Sequence, residues 1–72
     1  MFYFFQRGSE LLQCEVREAV DGTGFEIVIH EGTRERLEHH PTTDQVHRRW
    51  IELQQEFVTA GWWGPVTQDG RG

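Results

Sequence analysis

Cys14, His30, His39, His40 and His47 carry the thiol and imidazole groups that zinc prefers. Their spacing matches no standard ligand pattern. Strand alternation points Cys14 inward and His30 to the opposite face, and the other three fit solvated histidines at a strand end and a helix start. Cys14 as a nucleophile would need a base and an oxyanion site within reach. Its expected neighbours are Tyr3 and apolar side chains, which makes it a small buried hydrophobe. Glu31, Glu35 and Glu38 lie close in sequence, but a catalytic carboxylate pair needs a cleft, and a short sheet with one helix offers none. No P-loop, GxSxG or HExxH occurs. The expectation is a protein that is not an enzyme, with no catalytic residue, cofactor, metal or small-molecule substrate.

A second set of residues could bind rather than react. Alternation places Phe2, Phe4, Val28 and His30 on one sheet face with Arg17, Arg34 and Arg36. Aromatic rings among guanidinium groups are what a single-stranded nucleic acid platform uses, bases stacking on the rings while the cations meet phosphates. The same face would carry Glu15, Glu26 and Glu38, so its charges cancel and the electrostatic attraction that dominates such binding is missing. Nucleic acid binding through Arg17, Arg34, Arg36, Phe2 and Phe4 is therefore the second reading. The first is contact with protein, either a homodimer or an unidentified partner, through Phe2, Phe4, Val28 and Trp63. Trp62 and Trp63 are adjacent and cannot both enter the core from one turn. Trp62 sits where a helix-terminal hydrophobic contact is expected, leaving Trp63 available.

The elements that must position these residues follow from alternation and turn chemistry. Met1–Arg7 and Glu10–Val20 read as strands joined by Gly8-Ser9, a two-residue turn with Gly at its first central position. That turn sets Arg7 opposite Glu10, Phe5 opposite Leu12 and Tyr3 opposite Cys14. Asp21–Gly24 reads as a four-residue loop into a strand over Phe25–His30, pairing Val20 with Phe25 and Val16 with Ile29. Glu18 would then point inward opposite Ile27, which predicts a bulge between Arg17 and Ala19 that turns it out. A three-residue loop, Glu31–Thr33, leads to an edge strand over Arg34–His39, with Leu37 inward and Arg34 and Arg36 outward.

Thr42 and Gln45 have capping-box spacing, and Asp44 puts negative charge in the first helical turn. Val46, Trp50, Leu53 and Phe57 then recur at helical intervals, predicting one amphipathic helix from about Thr43 to Ala60 that ends at Gly61. Gly64-Pro65 prevents continuation of the helix, and residues 66–72 are expected to form a disordered tail. The predicted fold is α+β: a four-stranded antiparallel β-meander with one C-terminal helix packed on one face, two layers, in a single ββββα domain over residues 1–65. Its core is Tyr3, Phe5, Leu12, Cys14, Val16, Phe25, Ile27, Ile29, Leu37, Val46, Trp50, Leu53 and Phe57.

Seventy-two residues leave room for one domain, and a chain this short buries only roughly 60% of its unfolded surface. A single cysteine cannot form a disulfide within the chain, so the expected setting is reducing and cytoplasmic. Every cation is arginine, and 7 basic against 12 acidic residues give a charge of −5, contrary to a general affinity for phosphate backbones. The apolar run Met1–Phe5 ends at Gln6-Arg7, far short of the roughly 20 residues of a membrane span, so no membrane association is expected.

The segments Leu12-Gln13-Cys14-Glu15-Val16-Arg17, Gly24-Phe25-Glu26-Ile27-Val28 and Gly61-Trp62-Trp63-Gly64-Pro65 resemble a family of small uncharacterised bacterial proteins. These share an L-x-C-E-V-R strand and a terminal G-W-x-G-P. The resemblance covers most of the chain and implies the fold without an activity. The order ββββα is also similar to the single-strand-binding transcriptional coactivator and Whirly type of domain, a topological likeness that does not by itself imply function.

Overall fold

The computed structural model describes residues 1–67. Six elements follow one another: β1 (Phe2–Arg7), β2 (Glu10–Glu18), β3 (Phe25–Glu31), β4 (Arg34–His40), α1 (Thr43–Thr59) and β5 (Trp63–Thr67). The strands form one antiparallel sheet in the order β4-β3-β2-β1-β5, and α1 packs on one of its faces. The sheet thus has five strands where the sequence predicts four.

The first hairpin has the predicted register, with Arg7 opposite Glu10, Phe5 opposite Leu12 and Tyr3 opposite Cys14. The second does not. Glu18 pairs with Phe25 and Val16 with Ile27, a slip of two residues from the predicted pairing. An even slip keeps every side chain on its predicted face, because strand alternation has a period of two. It also disposes of the predicted bulge: Glu18 is the last residue of β2 and stays exposed, so no rearrangement is needed to free it. The longer connection is held by Ala19 N–H donating to the Gly24 carbonyl at 2.8 Å. The Thr23 amide and hydroxyl both donate to the Asp21 carboxylate, at 3.0 and 2.6 Å.

The third turn has a larger consequence. Glu31 pairs with Arg34, so the loop is the two residues Gly32-Thr33 and not the predicted three. Gly32 has φ +60°, as Gly8 has φ +59°, and glycine at the first central position is what a tight type II′ turn requires. An odd slip exchanges the faces of the whole strand. Leu37, predicted inward, stands opposite Val28 on the outer face and is 56% exposed; Arg34, Arg36 and Glu38 move to the side that carries the helix.

The core gathers Phe5, Leu12, Cys14, Ile27 and Ile29 from the sheet against Val46, Trp50, Leu53 and Phe57 from α1, with Tyr3, Val16 and Phe25 half-buried at its margin. Thr42 caps α1 by accepting from Gln45 N–H at 3.2 Å. At the other end Trp62 N–H reaches the Phe57 carbonyl at 2.9 Å and Gly61 N–H the Val58 carbonyl at 3.0 Å, the two bonds of a Schellman motif. Trp62 is thereby folded back into the core. The last turn of α1 has no basic residue, and Arg7 of β1 takes that place. Its guanidinium donates to the Ala60 carbonyl at 3.0 Å and lies 4.4 Å over the Trp62 ring. A cation there meets both the negative helix end and the face of an indole.

The expected tail is a strand as far as the description extends. Val66 pairs with Phe4 and Thr67 with Tyr3, while Trp63 pairs with Gln6 across a register shift. Without β5 the aromatic-rich β1 would be a bare hydrophobic edge, the kind of edge that folded proteins cover. The remainder of the predicted tail, 68–72, lies outside the described residues.

Candidate contact surface on the outer sheet face

With α1 on one side, the other side of the sheet presents alternate residues of all five strands. Cross-strand pairing orders them into rows. Leu37, Val28, Glu15 and Phe2 form one; Glu35, His30, Gln13, Phe4 and Val66 form the next; and Gln6 and Trp63 lie toward the β1–β2 turn. No helix among the described residues lies over these rows.

The predicted contact residues are all on this face, but they are not equally available. Trp63 is 69% exposed and Phe2 39%, while Phe4 is half-buried. Val28 is a correction: it faces outward yet is only 4% exposed, because Glu15 and Leu37 flank it on the neighbouring strands. Leu37 and Val66, both exposed, join the face instead. Leu37 was hidden from sequence reading by the turn length. Val66 was hidden by Gly64-Pro65, although the β-branched pair Val66-Thr67 just after it is a strand signal.

The predicted cationic set does not assemble. Arg34 and Arg36 lie on the helix-bearing side, with Arg36 opposite the buried Ile29. Among the described residues Arg17 is the one arginine on the outer face, and it is engaged by two carboxylates, Glu26 at 3.0 Å and Glu15 at 3.3 Å. His30 Nδ1 approaches the Glu35 carboxylate at 3.6 Å, and His39 Nε2 lies 3.1 Å from the Thr23 carbonyl oxygen.

Glu38, predicted outward, instead ties β4 to α1. Its two carboxylate oxygens accept from Arg49 Nε and an Arg49 terminal nitrogen at 2.8 and 3.0 Å, and His40 Nε2 is 3.1 Å away. Arg49 also donates to Glu56 at 3.0 Å. The Arg49 guanidinium holds the Glu38 carboxyl below its ordinary value of 4.5, partial burial opposes this, and His40 adds to the lowering. A carboxyl depressed on folding contributes stability that is present above its unfolded value and lost as pH falls through its folded value. Glu38→Gln should therefore lower stability at neutral pH by about 1–2 kcal/mol, a charge-assisted but partly exposed pair. The difference from the native chain should shrink as the pH falls below 4.5; denaturant unfolding at pH 7 and pH 3 measures both.

Burial pushes the Cys14 thiol up to about 12, against a weaker opposing effect of Arg36, so at neutral pH it is a protonated core side chain. Among the described residues no three histidine, cysteine or carboxylate side chains are grouped to hold a metal ion, and no helix is long and apolar enough to cross a membrane. No protein-family model, curated protein or solved structure matches the chain.

Proposed function

We propose that this chain acts by protein contact, without catalysis, through the outer face of its sheet. The observation that carries this reading is the convergence of Phe2, Phe4, Trp63 and Val66 at the β1–β5 side of a face that no other described element lies over. Exposed aromatic patches of this kind mark interaction surfaces, and a solvent-facing tryptophan is a typical anchor. The partner that fits is an apolar, uncharged protein surface. A nucleic acid fits less well, because Arg17 is already engaged by Glu15 and Glu26 and the other two predicted arginines face away.

Trp63→Glu tests this. The native protein should bind the apolar dye ANS saturably, with amide shifts at Phe2, Phe4, Trp63 and Val66. The variant should lose that binding several-fold while keeping its thermal midpoint, since Trp63 is 69% exposed and outside the buried core. Failure of the native chain to bind the dye, or shifts confined to α1, would overturn the reading. A parallel titration with a single-stranded oligonucleotide at low salt should leave Arg17 unmoved; shifts there that vanish with added salt would replace protein contact by nucleic acid binding.

A further inference from the structure

β4 is the outermost strand on its side of the sheet, seven residues long and free of proline. In a two-residue hairpin the closing pair, here Glu31 and Arg34, exchanges both backbone bonds, and such exchange alternates along an antiparallel ladder. Arg34, Arg36, Glu38 and His40 therefore spend their backbone groups on β3. Glu35, Leu37 and His39 turn their N–H and C=O groups to the open edge.

We propose that a second copy of this chain docks on that edge, β4 against β4, antiparallel, with Leu37 facing Leu37 across a two-fold axis. Within the strand the segment Glu35-Arg36-Leu37-Glu38-His39 is complementary to its own reversal in this register, with Arg34 opposite His40 at each end. Arg36 meets Glu38 of the second copy, and Glu35 meets His39, each twice by symmetry. Leu37, the one large aliphatic of the strand and more than half exposed, meets itself at the centre. The residues whose backbone groups face the edge, Glu35, Leu37 and His39, pair only with one another, so about six backbone hydrogen bonds form.

Neighbouring registers that keep this backbone parity fail on charge. Moving the axis to residue 36 sets Arg36 directly against Arg36, and moving it to residue 38 sets Glu38 against Glu38; like charges directly opposite destabilise a strand pair. Glu38 retains capacity for the incoming Arg36: it accepts three bonds from Arg49 and His40, and an ionised carboxylate has about four acceptor sites. The contact is isologous, so it closes at two copies and does not propagate. The surface is small, so the dimer is concentration-dependent. It lies at the opposite edge of the sheet from the Phe2, Phe4, Trp63 and Val66 patch, and either surface can fail without the other.

A dilution series on the isotope-labelled chain, followed by sedimentation and amide exchange, tests the pairing. The expected result is a dimer at high concentration whose protected, dilution-sensitive amides are Glu35, Leu37 and His39, while those of Arg36 and Glu38 stay constant. Arg36→Glu, which sets carboxylates face to face on an exposed position, should weaken the dimer roughly tenfold or more with the fold intact. A chain that stays monomeric at millimolar concentration would overturn the proposal. So would a dimer whose sensitive amides are Phe2, Phe4 and Trp63, which would put the second copy on the outer face, or one indifferent to Arg36→Glu.

Discussion

Trp50→Ala is expected to remove roughly 3–5 kcal/mol of stability, much of what a domain of this size possesses. Trp50 is 7% exposed at the centre of the helix stripe, where its ring centroid lies 4.5 Å from that of Tyr3 and 6.2 Å, edge-on, from that of Phe5. Truncation deletes these aromatic contacts and leaves a cavity between α1 and β1. Phe5 is not free to fill it, since its ring is already packed edge-on against Phe57 at 5.0 Å. Denaturant unfolding should show either a strongly lowered midpoint or a chain largely unfolded in buffer. An unchanged midpoint would mean that the helix is not held by this face.

Gly64→Ala should be the most damaging single-methyl addition in the β5 segment, at roughly 2–4 kcal/mol. Gly64 has φ +147°, a conformation that other residues rarely adopt, and a Cβ built there would lie 2.7 Å from the Phe4 carbonyl oxygen and 2.9 Å from the Phe5 ring. Backbone stands on one side of that contact, so relief requires β5 to move off β1. Amide exchange should accelerate across Trp63–Thr67 and along β1 before it does so in α1. If the exchange rates of β5 were unaltered in a variant of native stability, β5 would not depend on this close approach.

The helix and the first hairpin were legible because their signals are local. Thr42, the Val46-Trp50-Leu53-Phe57 stripe and Gly61 each specify a feature within a few residues of themselves, and the observed cap, buried face and Schellman bonds match them. Gly8-Ser9 fixed one register for the same reason. The candidate contact face was legible in part: Phe2, Phe4 and Trp63 stand on it as expected, while Val28 is hidden by its flanking strands and Arg34 and Arg36 are on the other side. That last error has one cause. Glu31-Gly32-Thr33-Arg34 can close a loop of two or three residues, and the single residue of difference reverses every side chain of β4.

By itself, then, the sequence determined an α+β chain with one amphipathic helix, its stop at Gly61, its antiparallel first hairpin and most of its core, since periodicity and turn chemistry act over a few residues. The folded structure settled the fifth strand, the two later registers and the remaining membership of the outer face, where Leu37 and Val66 stand and Arg34 and Arg36 do not. The fifth strand and the ties between sheet and helix depend on partners distant in sequence. β5 is held by pairing with β1, Arg7 reaches the end of α1 from the first strand, and Glu38 turns to Arg49 on the helix. Local propensity carries no record of such contacts, because their free energy exists only once the chain has closed on itself.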